Sequence, residues 1–341
     1  MRQNDGYSSV TVLFLLLFIS TISLALMYYL HSSITLSKKI NSKYEIQNEL
    51  EDEIYALIKT LADDPTAEAD SKFDPVWLYL KNRNNGDVQI TLEDISSRFN
   101  INFMRTKMLE ESSFKELMLG GRTPEDLKLY RGENGFFSDI KTGYAKFFKE
   151  ETLSEYFTSY AYANFNVTYE DSLKKLYEKR VSQESSITFL EKVQHLLSDK
   201  TIVDDKKLKG IFGAEYNELY PLINSEPLLN VNFVPDKVLQ AVLFYPYGGE
   251  MHKDSGSFYE ILLTERNTFE FDGNRLNSLF ADLEDDYLRI HEYLGVRTWF
   301  WRILARKADL SLEVILSRLP VNEETDTEIK YQIIKWKNHY Y

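Results

Sequence analysis

Cysteine is absent from the 341-residue chain, which excludes a disulfide framework, a thiolate metal site and a cysteine nucleophile. Basic residues are in deficit as well. The 40 Lys and Arg against 53 Asp and Glu give a formal net charge of −13, a sign that makes nucleic acid a poor ligand. Proline is scarce, with 8 in all and none before Pro65, so no ring interrupts a helix over the first part of the chain. No HExxH, GxSxG, P-loop or dinucleotide glycine pattern occurs, and the sequence gives an enzyme no support. His252, Asp254 and Ser255 stand close together in one loop. A catalytic triad instead needs separated elements and an oxyanion donor.

What the chain has in quantity is apolar and aromatic: 43% of residues are hydrophobic, with 23 Tyr and 21 Phe. That composition belongs to an ordered protein, long enough for two or more compact domains. Its longest feature begins at Val10. From there to Leu30 run 21 residues without Asp, Glu, Lys or Arg, enough at about 1.5 Å per residue to cross a hydrocarbon core of roughly 30 Å. Thr11, Ser20, Thr21 and Ser23 are tolerated there because a hydroxyl bonds back to a carbonyl one turn earlier. Ile46, Leu50, Ile54, Leu57, Ile58 and Leu61 then recur at three- and four-residue steps, the stripe of an amphipathic helix. One rod from about Val10 to Ala62, stopped by Asp63-Asp64-Pro65, is expected; an anchor followed by a separate surface helix is the alternative.

Further along, Phe73 to Leu80 and Val88 to Leu92 flank an Asn-Gly-containing turn and read as a hairpin. A repeat follows. Asn100-Ile101-Asn102-Phe103, Asn164-Phe165-Asn166-Val167 and Asn230-Val231-Asn232-Phe233 lie 64 and 66 residues apart, each with a leucine nine positions on: Leu109, Leu173 and Leu239. Each copy predicts a short extended segment with its apolar middle residue inward, then a turn and a helix, with the Asn side chains bonding local backbone and capping the helix start. Helical stretches fill the intervals, among them Leu153 to Tyr160 and Ile187 to Leu197. After Gly295 the pattern turns to strands: Arg297 to Arg306 and Leu310 to Arg318 form a hairpin, and Lys330 to Lys337 a third strand. Asp282, Glu284, Asp285 and Asp286 read either as a solvated helix face or as oxygen ligands for calcium, although their spacing is not that of an EF-hand.

Gly6 immediately before the apolar run, with Arg2 and Asp5 in the leader, resembles a type IV prepilin leader, cut after the glycine so that Tyr7 becomes the first residue. Most pilins and pseudopilins carry Glu at the fifth mature position; here it is Thr11. A missing Glu, together with the Asn-x-Asn junctions and Tyr293-Leu294-Gly295-Val296-Arg297-Thr298-Trp299-Phe300, resembles the K-type minor pseudopilin of type II secretion systems. The junctions depart from the family's Asn-x-Asn-Thr-Ala form at Phe103-Met104, Val167-Thr168 and Phe233-Val234.

The resemblance implies an α+β fold: a long N-terminal transmembrane helix and a pilin-like antiparallel sheet head with a large helical insertion of SAM-like or helix-hairpin-helix modules. The implied division is a leader over 1–6, the helix over 7–62 with its span at 10–30, head segments over 63–104 and 291–341, and inserted modules over 105–290. It further implies a non-enzymatic subunit at the pseudopilus tip, acting in assembly and export with other minor pseudopilins as a hetero-oligomer. Prepilin peptidase and inner-membrane lipid would be further partners, no cofactor is required, and calcium binding is known in the family. The head would lie in the periplasm. Lys38, Lys39 and Lys43 after the span against Arg2 before it favour the opposite orientation by the positive-inside rule. The alternative class is a membrane-anchored periplasmic enzyme or binding protein without an assembly role.

Overall fold

A computed structural model describes residues 5–64, 68–84, 86–179, 189, 191, 195–196, 202–245, 255–281, 290–320 and 330–340. The fold is mixed α+β, and its axis is helix α1 (Asp5–Ala62), roughly 85 Å long at 1.5 Å per residue. The continuous rod is the arrangement found, without a break between span and amphipathic stripe. Thr21 Oγ1 donates to Phe18 O at 2.8 Å, the back-bond that allows a hydroxyl in an apolar run.

The head is a four-stranded antiparallel sheet in the order β1 (Gln89–Asp94), β2 (Phe300–Lys307), β3 (Leu310–Arg318), β4 (Tyr331–Tyr340). Alternation supplies its inner face. Ile90 and Leu92, then Trp301, Ile303 and Ala305, then Leu312, Val314 and Leu316 are buried at every second position. Leu50, Ile54, Leu57 and Leu61 of α1 are buried in the same cluster, each worth about 2 kcal/mol of apolar burial. Helix α2 (Pro75–Arg83) completes this layer with Val76 and Leu80.

Here the expected hairpin over residues 73–92 is corrected. Pro75 starts a helix, where its missing N–H costs nothing, and the four-residue step from Val76 to Leu80 places both on one buried face. β1 has no partner in that segment. It pairs with β2 across more than 200 residues of chain, Asp94 lying opposite Trp301.

Between β1 and β2 in sequence lie three parallel two-stranded ribbons. Phe99–Asn100 pairs with Phe157–Thr158, Ala163–Asn164 with Ile223–Asn224, and Leu229–Asn230 with Leu294–Gly295. Each ribbon ties the two ends of a helical module, so the repeat has a closing strand as well as an opening one. The expected helix over Leu153 to Tyr160 accordingly stops at Tyr156, and Phe157 begins the closing strand. At the third ribbon, a Cβ on Gly295 would come 2.8 Å from Pro227 Cβ; the chains approach that closely only because Gly295 has none. Most of the expected Ile187–Leu197 helix and all of Asp282, Glu284, Asp285 and Asp286 lie outside the described residues.

Candidate assembly site and the asparagine junctions

The first half of α1 is bare. Every large apolar side chain from Val10 to Ile40 is exposed, and the segment contains the stretch of mean hydropathy 2.6 that is long enough to cross a membrane. Gly6 and Thr11 lie on this continuous helix, as does Tyr7. The head begins where exposure ends. Lys43 meets Asp309 at 3.4 Å, and Lys307 meets Glu49 at 2.7 Å, so the β2–β3 turn clasps the helix just beyond the apolar run. Glu53 continues the contact, with Arg83 at 3.3 Å and the Tyr79 hydroxyl at 3.0 Å.

The six asparagines make one geometry three times. In each copy the first Asn accepts from the backbone N–H of the second: Asn100 from Asn102 at 2.8 Å, Asn164 from Asn166 at 2.7 Å, Asn230 from Asn232 at 2.9 Å. The residue between them, Ile101, Phe165 or Val231, is fully buried, as are Leu109, Leu173 and Leu239.

The second Asn does not cap the following helix. The helices begin after Thr106, Tyr169 and Pro235, none of which receives a side-chain cap bond. Instead both ends of its amide bond the backbone of one distant residue, while Asn166 Nδ2 also donates to Glu292 and Asn232 Nδ2 to Asp70 O. Asn102 donates to Phe137 O at 3.0 Å and accepts from Phe137 N at 2.8 Å. Asn166 does the same with Val203 at 3.0 and 2.8 Å, and Asn232 with Phe271 at 3.1 and 3.1 Å. A primary amide is the one side chain that offers a donor and an acceptor side by side, as a strand backbone does. These latches hold the far half of each module against its start.

Sequence reasoning missed the latched residues, yet a signal was there. One or two residues after each latch stands an Asp that caps the second helical half: Asp139 accepts from Thr142 N at 3.0 Å, Asp204 from Lys207 N at 2.8 Å and Asp272 from Arg275 N at 2.7 Å. Eight residues on lie buried Phe147, Phe212 and Phe280.

The third junction enters a buried polar seam between modules and sheet. Asn230 Nδ2 donates to Asp70 O at 2.8 Å and Thr298 Oγ1 at 3.0 Å, and its N–H donates to Ser97 Oγ at 2.8 Å. Arg318 meets Asp70 at 2.7 Å, and Thr298 Oγ1 donates to Asp94 at 3.0 Å. Burial pushes Asp70 up to about 6, against the pull of Arg318 and the Thr298 N–H. Asp94 is raised by burial too, opposed by the Ser97 and Ser96 hydroxyls. Asp74, buried beside Ser71 at the start of α2, is pushed up to about 7 by the same cause. The seam therefore carries buried carboxyls that accept hydrogen bonds from several segments at once, an arrangement suited to holding elements together. Among the described residues no group of three or more His, Asp or Glu is placed to hold a metal ion.

No protein-family model matches the chain, and no curated protein matches it by sequence. The chain does align with a solved structure. A chain described as belonging to the GspK-GspI-GspJ complex of the enterotoxigenic Escherichia coli type 2 secretion system is 10% identical, with 89% of this chain and 100% of that chain covered. The TM-score is 0.33.

Proposed function

We propose that the chain is a K-type minor pseudopilin that sits at the tip of a type II secretion pseudopilus and acts by assembly. The observation that carries this reading is the two-part helix, bare and apolar over its first half and built into the core of an antiparallel sheet over its second. Such a helix supplies a surface for lipid or for neighbouring spans of the same kind, and the head fixes what stands above it. Thr11 supports the tip position. A buried Glu in a growing bundle is held by the N-terminal amine of a neighbour, and a subunit with no neighbour above it has no use for one. The three modules between β1 and β2 widen the head and would block addition of another subunit beyond it. In this reading the head is periplasmic, the membrane is the bacterial inner membrane, the partners are other minor pseudopilins, and any calcium bound by the 282–286 cluster is structural.

N-terminal sequencing of the mature protein tests the assignment. A start at Tyr7 that is lost when Gly6 is replaced by Val is the expected result; a start at Met1 in both would leave an ordinary membrane anchor. The steric part is tested separately. Because Asp94 and Trp301 are neighbours in the sheet, a short turn can replace residues 97–297. Normal secretion and tip localisation of that variant would overturn the role given to the modules.

A further inference from the structure

Between the first and second modules lies a charge arrangement that neither the asparagine latches nor the assembly role uses. Helix Pro124–Asn134 of the first module and helix Glu170–Glu178 of the second line a cleft of about 240 Å³. Arg131 lines it and is only 4% exposed. Its Nη1 donates to Met104 O at 2.6 Å, and its guanidinium lies 4.8 Å from the centre of the Tyr169 ring. Its Nη2 is buried with no hydrogen-bond partner. The buried Tyr144 hydroxyl also interacts with the guanidinium from the core side; a desolvated cation with only neutral partners is costly, and an anion in the cleft lowers that cost through its charge without reaching Nη2 itself.

A second feature points the same way. Tyr169, at the N-cap of the nine-residue helix Glu170–Glu178, provides no side-chain cap, so the helix presents uncapped N–H groups and its positive dipole end beside Arg131. Lys128, Lys174 and Lys175 also line the cleft, with Asp171 and Glu178 as the opposing carboxylates. The lysines are lightly engaged: Lys128 lies 3.4 Å from Glu125, Lys174 lies 3.8 Å from Glu178, and Lys175 Nζ is 3.4 Å from Gly132 O. Four cations against two carboxylates leave a small positive excess on a chain whose net charge is −13.

We propose that this cleft binds a carboxylate group, held by Arg131, the uncapped end of the 170–178 helix and the surrounding lysines. A singly charged group matches the small excess, whereas Asp171 and Glu178 repel the second charge of a phosphate. The volume admits one acidic side chain or one small carboxylic acid and is below the usual range for a drug-sized ligand. An acidic side chain of a neighbouring polypeptide and a free acid offer the same chemistry. This inference stands on the module interface and does not depend on the pseudopilin reading.

The test uses the full-length protein in detergent micelles, titrated with glutarate, with inorganic phosphate and with a fluorescein-labelled peptide bearing one Glu among Gly and Ser. Glutarate, the peptide or both bind saturably, and binding weakens as NaCl is raised. The double variant Lys128→Gln, Lys174→Gln, in which both changes are at the surface, binds about tenfold more weakly. Arg131→Met abolishes the ligand-induced rise in melting temperature; if that variant fails to fold, the lysine double variant decides. Tighter binding of the peptide than of glutarate assigns the site to a polypeptide partner, and equal binding assigns it to a free acid. No saturable binding of either carboxylate overturns the proposal, as does phosphate binding tighter than glutarate or wild-type binding by the double variant.

Discussion

Residues 10–40 and residues 46–61 of α1 share one helical backbone and little else. In the first segment all the large apolar side chains are exposed; in the second, Leu50, Ile54 and Leu57 are fully buried against the sheet, and Glu49 and Glu53 meet Lys307 and Arg83. The second half is stabilised by tertiary packing, as helices in water generally are. The first has no such packing within the chain, and under the proposed function lipid or other spans supply the low-dielectric surrounding that covers it.

The largest expected effect breaks the helix into those halves. Leu57→Ala should cost the head about 3 kcal/mol, because removing a fully buried side chain forfeits its transfer energy and leaves a cavity. Leu17→Ala, in the bare half, should leave head stability unchanged. Thermal unfolding of the full chain in detergent, followed by tryptophan fluorescence, reads the difference, since all four Trp lie beyond the span. Leu17→Lys should act on the other half alone, lowering membrane insertion by about 3 kcal/mol at the span centre, as fractionation would report. Equal loss of head stability from Leu57→Ala and Leu17→Ala would show that the halves are not independent.

The next effect lies just beyond the packed half. Asn232→Asp keeps the acceptor but removes the amide donor, which turns a carboxylate oxygen toward both Phe271 O at 3.1 Å and Asp70 O at 3.0 Å. Its cost should be about 3 kcal/mol, and larger than that of Asn102→Asp, which orphans only Phe137 O. Denaturation midpoints of the two variants give the ranking.

These junctions also mark how far the sequence could be read. The span, the amphipathic stripe, the late strands and the repeat are periodic signals carried by neighbouring residues, and they emerge from the chain directly. The Asn102–Phe137 type of bond joins residues more than thirty positions apart, and only the Asp cap with a Phe eight positions on, repeated beside each latch, marks its far end. The helix at Pro75 is not legible because Val76 to Leu80 is too short for its period to be told from that of a strand. The seam of Asp70, Asp94, Thr298 and Arg318 draws on four separate segments, so its members look like ordinary surface residues until the fold assembles them.

A smaller effect follows from pH, and it should act on the packed half only. Asp70 and Asp74 have folded values of about 6 and about 7 against an ordinary 3.8, so between those values the folded state holds protons that the unfolded state has lost. Stability from these groups is therefore greatest at low pH and declines as pH rises, flattening above about 7. From pH 5.5 to 7.5 the head should lose about 1–2 kcal/mol, and Asp74→Asn should remove the upper part of that slope while Asp70 keeps the lower. Melting temperatures across that range provide the check; a melting temperature that rises with pH would contradict the sign.

The smallest effect sits at the boundary between the halves, in the turn that clasps α1. Lys307 pairs with Leu310, so Ala308 and Asp309 form a two-residue hairpin turn, and Ala308 has φ 52°, the only positive value at a non-glycine among the described residues. A left-handed φ at the first central position alone belongs to a type II′ turn, which favours glycine there. The alanine Cβ costs about 1 kcal/mol in this conformation. Ala308→Gly relieves that strain but frees the unfolded chain, which returns about 0.4–1 kcal/mol. The net should be a gain of no more than about 0.5 kcal/mol, with the Lys43–Asp309 and Lys307–Glu49 pairs retained because the backbone path is unchanged. Ala308→Val makes the sign plain: a branched side chain tolerates positive φ less well, so the midpoint should fall below that of the parent. If valine were neutral there, the turn would be free to relax, and its two ion pairs would not be what fixes the point where α1 leaves the head.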